Sequence, residues 1–253
     1  MIFQQIRNAT VKIKYANKII LVDPWLVKKG SLRVIESPDE TKNTIMNPTV
    51  ELPLKLEEIV ADVDVCIVTH NHIDHFDVDS MNHLKKDIKV YVQNNDDLQI
   101  ISDLGFKDIE LLRASGNHLN ELVLYKTAGQ HGETPELAEG PVSGVVFKHP
   151  QEKTLYLAGD TIWYDEIEKT IDKYKPEVII LNAGDARLKT GRLIMNLNDI
   201  KAVCDHACHT DIIVSHLEAV NHCFVSRADV RKFIIDNNLS NVHVPDDGQC
   251  YEF

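Results

Sequence analysis

Short runs of β-branched and aliphatic residues, each bounded by polar or turn-forming positions, recur along the whole chain. The runs at 10–15 and 19–22 flank Ala16 and Asn17 and predict a hairpin whose second arm ends at Asp23-Pro24-Trp25. Val63, Asp64, Val65, Cys66, Ile67 and Val68 predict a strand buried on both faces. Further strands are expected at 89–93, 109–112 and 122–127, and a second hairpin from 142–147 and 154–158 around Pro150 and Gln151. Residues 178–181, 211–214, 242–244 and 249–253 complete the strand set.

Between these runs the period changes to three and four. Residues 79–86 predict a short helix, and 96–104 a second, with Leu98, Ile101 and Leu104 on one side and Gly105 closing it. Ile167, Ile171 and Tyr174 form the stripe of a third, which stops before Pro176. Residues 199–208 form a fourth, and Ser226 caps a fifth at 227–236 with Val230, Phe233 and Ile234 facing inward. Residues 28–57 carry Pro38, Pro48 and Pro53 with little periodicity, which predicts a long loop placed to cover a site. Strands followed by helices, twice over, fit two packed sheets with helices outside.

Composition narrows the class. A chain of 253 residues, 43% apolar and 26% charged, suits one globular domain over 1–253. No apolar run approaches the ~20 residues that span a bilayer, and no basic segment precedes an apolar one at the start, so a cytoplasmic protein is expected. A formal charge of -12 weighs against nucleic acid as a partner, and the lack of a spanning run against a membrane. Five cysteines without paired spacing predict no disulfide framework. A homo-oligomer is compatible with all of this.

The chemistry concentrates where the 63–68 strand ends, at Thr69-His70-Asn71-His72-Ile73-Asp74-His75-Phe76-Asp77. Imidazole and carboxylate are ligand types for zinc, manganese and iron. A histidine-rich surface loop is the alternative, but side chains packed this densely call for a cation to organise them. One tetrahedral ion does not need all of them, which points to a second ion nearby. Later strands lead into Ala-Gly-Gln-His131-Gly, Leu-Ala-Gly-Asp160-Thr and Ile-Ile-Val-Ser-His216.

The cluster and these three motifs, in this order, resemble the signature of the metallo-β-lactamase superfamily over nearly the whole chain. The resemblance implies an α/β fold, an αβ/βα four-layer sandwich of two packed mixed sheets with helices on the outer faces. It also implies two divalent ions, zinc first with manganese or iron as alternatives, and no other cofactor. His70, His72 and His131 would hold one ion and Asp74, His75 and His216 the other, with Asp160 bridging. A hydroxide shared by the ions would then attack a small ester, lactone or phosphoester. The stretch from Ser215 to Cys223 and the Asp23-Pro24 pair look like the subgroup related to the L-ascorbate-6-phosphate lactonases. Asp74, beside the attacking water, and His222 are the candidates for proton movement.

Asp23 is a candidate to orient a ligating histidine, with a plain strand-ending turn as the other reading. Arg187, Lys189 and Arg192 would meet an anionic substrate or simply form a solvated loop. Cys204-x-His206-x-Cys208-His209 imitates a zinc site, yet both cysteines fall on the apolar stripe of their helix and are expected in the core, as is Cys66. The rival functions are an iron-dependent redox enzyme of the same fold, a phosphodiesterase or nuclease, and a non-catalytic metal-binding protein.

Overall fold

The computed structural model describes residues 1–133 and 140–253. In chain order the first half comprises β1 (Ile2–Arg7), β2 (Thr10–Tyr15), β3 (Lys18–Val22), α1 (Leu56–Val60), β4 (Val65–Val68), α2 (Val78–Asn82), β5 (Lys89–Val92), α3 (Asn95–Asp103) and β6 (Asp108–Leu111). The second comprises β7 (Asn117–Leu119), β8 (Leu122–Ala128), β9 (Ser143–His149), β10 (Glu152–Leu157), α4 (Asp165–Tyr174), β11 (Val178–Asn182), β12 (Arg187–Leu188), β13 (Gly191–Arg192), α5 (Leu197–His206), β14 (Asp211–Ser215), α6 (Arg227–Asn237), β15 (Val242–His243) and β16 (Cys250–Glu252).

Two seven-stranded mixed sheets result. One has the order β16-β1-β2-β3-β4-β5-β6, the other β15-β14-β11-β10-β9-β8-β7. Alternation along each strand assigns the layers. Val65 and Ile67 of β4 point into the core shared with Val178 and Ile180 of β11 and Val145 and Phe147 of β9, between the sheets. Cys66 and Val68 point the other way, onto Ile59, Met81 and Ile101 of α1 to α3. Ile179 and Leu181 meet Ile167, Ile200 and Val230 of α4 to α6 on the opposite outside face. The expected four layers are therefore present, and both central strands are buried on two faces.

Most predicted elements appear within a few residues of their expected bounds, and the differences have local causes. Helix α5 begins earlier than expected because Asn196 caps it in a reciprocal box with Asp199. It also ends earlier, so Cys208 leaves the helical register and is exposed, whereas Cys204 is buried as expected. His206 pairs with Asp172 at 3.3 Å and meets the Trp163 ring edge-on, so the zinc-like run is not assembled into a site. In α6, Ser226 and Asp229 form the predicted cap, but only Val230 is fully buried and Phe233 and Ile234 are half-buried. No helix among the described residues is long and apolar enough to cross a membrane.

Candidate metal centre

Strands β3 and β4 are parallel in one sheet, and β10, β11 and β14 are parallel in the other. Strand β8 runs with the latter group because it is antiparallel to β9, itself antiparallel to β10. Their carboxyl ends thus gather along one edge of the sandwich, where loops are held by rigid backbone. Asp23 follows β3, His70 follows β4 closely, His131 and Asp160 follow β8 and β10, and His216 directly follows β14.

Asp23 organises the first cluster. One carboxylate oxygen accepts the Thr69 amide at 2.7 Å, and the other accepts the Thr69 hydroxyl at 2.7 Å and lies 2.9 Å from His75 Nδ1. Engaging Nδ1 turns His75 Nε2 toward the cleft. A tight turn, in which His72 carbonyl accepts the amides of His75 and Phe76, folds the motif back on itself. The orienting reading of Asp23 is the one the geometry supports.

Across the cleft, the Asn182 amide donates to Asp160 Oδ1 at 2.8 Å, which leaves Oδ2 facing the histidines. That oxygen lies 3.1 Å from His75 Nε2, 3.8 Å from His131 and His216 Nε2, and 4.0 Å from His70 Nε2. His216 Nε2 is also 3.2 Å from Asp74 Oδ2, while its Nδ1 faces Cys223 Sγ at 3.7 Å. His131 Nδ1 faces the Leu193 carbonyl at 3.3 Å.

All seven ligands expected from sequence are brought together. Donor atoms of His70, His72 and His131 lie within 4.8 Å of one another, as do those of Asp74, His75 and His216, and those of His70, His75 and Asp160. His70 Nε2 is buried without a hydrogen-bond partner, and His75 Nε2 meets only the Asp160 carboxylate. Leaving such atoms unpaired is costly, and a cation among them removes the cost, so this donor set fits metal.

The fields around the site are strong. Burial alone would push the Asp160 carboxyl up, but His75 and His216 hold it well below the usual carboxylate range. Asp74 behaves likewise, its burial overcome by the hydrogen bond from His216 and the field of His75. Burial favours neutral His75, yet Asp160 and Asp23 outweigh it and raise the imidazole to about 10. Burial and the neighbouring imidazole of His75 push His70 well down. Burial also lowers His131 to about 4.

His222 is buried beside this centre, and burial lowers it to about 4, so its ring is neutral at pH 7. It lines a cavity of about 280 Å³ together with His72, Asp74, His131, Asp160, Arg33, Ile35, Ile73, Ala186, Leu188 and Leu193. Segment 28–57 thus supplies part of the cavity wall, through Arg33 and Ile35. Arg187 pairs with Asp185, Lys189 with Glu36, and Arg192 with Asp199 and Glu133, so these three cations are already engaged by acids.

Sequence reading missed Asn8, whose amide donates to the Asp74 carbonyl at 3.0 Å and lies 3.1 Å from His216 Nε2. It placed Asn182 at the rim and Cys223 in the Ser215–Cys223 stretch without giving either a role, and it missed Arg33. Asn8, Asp23 and His216 all sit at positive φ, of 54°, 46° and 60°, and such backbone gathers at functional sites.

Asp23→Asn should weaken metal binding by about 10- to 100-fold, because it removes the charge behind His75. Competition against a chromophoric chelator measures this.

Residues 19–217 match the family described as Beta-lactamase superfamily domain. The UPF0173 protein YddR of Bacillus subtilis is 46% identical over 253 residues, covering 98% of each chain. Among solved structures, an isothiocyanate hydrolase from Delia radicum gut bacteria superposes with a TM-score of 0.93 at 36% identity, covering 100% of this chain and 99% of that one. A possible metal-dependent hydrolase from Veillonella parvula superposes with a TM-score of 0.94 at 35% identity, covering 99% and 98%.

Proposed function

Because the chain belongs to the UPF0173 family of metal-dependent hydrolases, within the beta-lactamase superfamily, we propose that its centre holds two divalent ions and hydrolyses a small electrophile with an apolar body. In this reading His70, His72 and His131 hold one ion, Asp74, His75 and His216 the other, and Asp160 is shared. The observation that carries it is the pair of three-residue donor groups joined through His70, His75 and Asp160. Zinc is the first choice, with manganese and iron accepting the same donors. Such ions, when bound, lower the pKa of water toward ~7 and stabilise negative charge developing on the electrophile.

The protein's own groups do the rest. Asp74 stays ionised and is the acceptor for the proton of the attacking water. His222, neutral and with Nδ1 lacking a partner, offers the leaving group a hydrogen bond in place of a charged acid. The apolar side chains of Ile35, Ile73, Ala186, Leu188 and Leu193 exclude water from the body of the substrate. A cavity of about 280 Å³ lies just below the ~300–1,000 Å³ of sites for larger ligands, which supports a small one.

The apolar walls suit an ester or lactone, Arg33 among them could meet a negative group on the same substrate, and the likeness of the Ser215–Cys223 stretch to lactonases supports the lactone. A second reading takes the substrate to be an isothiocyanate, since a structure 36% identical to this chain is an isothiocyanate hydrolase. That electrophile is small and neutral, which the apolar lining accommodates.

Metal analysis of protein purified without added metal, beside a screen of esters, lactones, phosphoesters and isothiocyanates with zinc or manganese restored, tests the proposal. Two equivalents and one responsive class support it. About two irons with no hydrolysis in any class would overturn it in favour of redox chemistry. His222→Gln should lower kcat by about 100-fold with metal content retained, as expected for loss of one proton-moving group. Steady-state kinetics and metal analysis of the same preparation check it.

A further inference from the structure

The cavity wall formed by Arg33 and Ile35 belongs to neither large sheet. It lies in the segment from 31 to 47, whose ends meet in a bridge between Leu32 and Asn47. What fixes this segment is a pair of buried amides, Asn47 and Asn221, 1% and 3% exposed.

Asn221 uses every polar atom of its side chain. Its Oδ1 accepts the Ile35 amide at 3.1 Å and the Asn47 side-chain amide at 2.8 Å. Its Nδ2 donates to the Ile35 carbonyl at 2.8 Å and the Lys42 carbonyl at 3.2 Å. The Asn221 backbone amide donates to Asn47 Oδ1 at 2.8 Å, closing a reciprocal clasp. Two bonds to the backbone of Ile35 imitate one rung of a strand ladder, so they set position whatever side chain stands there. Lys42 adds a third tie, donating to the Cys223 carbonyl at 2.7 Å.

None of these partners is a residue assigned to metal. The clasp joins the wall to the segment that carries His222, the next residue in the chain. Resting on the hydrolase reading above, we propose that Asn221 is a positioning residue that sets substrate size: it holds Ile35 and Arg33 at a fixed distance from His222 and so selects short apolar acyl groups. A wall held by fully used buried hydrogen bonds does not yield to a longer chain.

The test uses the zinc-loaded full chain and p-nitrophenyl esters from acetate to octanoate. Asn221→Ala should retain its metal and raise KM for the short esters about 10-fold with a smaller change in kcat. It should also reduce the preference for short over long acyl chains by about 10-fold. Hydrogen exchange should lose protection across 31–47 while the sheet strands keep theirs. Asn47→Ala, which opens the same clasp from its other side, should act in the same direction and decides the matter if Asn221→Ala does not fold. Unchanged exchange across 31–47, or unchanged chain-length preference, would overturn the proposal. Wild-type protein that turns over none of the esters would defeat the ester reading, and exchange across 31–47 in the zinc-loaded variant would then decide the clasp separately.

Discussion

On the two-ion reading, Asp160→Asn is expected to lower kcat/KM by about 10³-fold or more and to reduce bound metal from two equivalents to one at most; a factor of 10³ is about 4 kcal/mol of lost transition-state stabilisation. The substitution is nearly isosteric, so packing does not explain the loss. What changes is charge at the oxygen that faces His70, His75, His131 and His216 within 4.0 Å. Asn182 would still hold the other side-chain atom in place. Two ions held by these donors would repel, and Asp160, facing both donor groups, is the carboxylate that would offset this. Metal analysis and steady-state kinetics on the same sample test it. Two retained ions with activity within tenfold of wild type would remove Asp160 from the role of shared ligand.

Gly184→Ala should cost about 2–3 kcal/mol of folding stability, as overpacking of a filled site does, and for a chain of this size lower Tm by about 5–10 °C. Gly184 lies just past the end of β11, and a methyl group there would overlap the His216 carbonyl and approach Cys223 Sγ to 2.7 Å. The Gly184 carbonyl meanwhile accepts the amides of Phe224 and Val225, so the backbone has little room to retreat. The strain falls on His216, whose left-handed backbone already aims Nε2 at Asp74 and Asp160. Activity should therefore fall more than stability alone accounts for, when assayed well below the new Tm. Calorimetry with kinetics at 20 °C or so separates the two effects. A variant that melts with the wild type would mean that the loop at 216–223 gives way freely.

How much of this was readable in the chain depended on whether the signal was local. His70, His72, Asp74 and His75 sit in one turn, and the apolar run before them announces the strand that delivers them. His131, Asp160 and His216 each follow a strand with a clear pattern, though joining them to the cluster needed the resemblance.

Strand β1 was not legible, because its polar positions are buried. Gln5 reaches the Ser215 hydroxyl and the Asn8 carbonyl, and Arg7 reaches the carbonyls of Trp25, Val27 and Val50. A pattern that assumes polar positions face water fails there. Asn8 was invisible for a related reason: its role depends on Asp74 and His216, far along the chain. The wall cation was missed too, since Arg33 looks like any other charge in a loop until Asn47 and Asn221 show where that loop is fastened.

Each of the two donor groups draws on both sheets. His70 and His72 face His131, and Asp74 and His75 face His216, so the strand ends of one sheet supply only part of either group. A nascent first half emerging from the ribosome has no complete pocket to offer a cation. Metal held by both groups would bind the docked halves in preference to either alone and would favour that assembled state by mass action. In that role the metal would be a rivet across the seam between the two leaves.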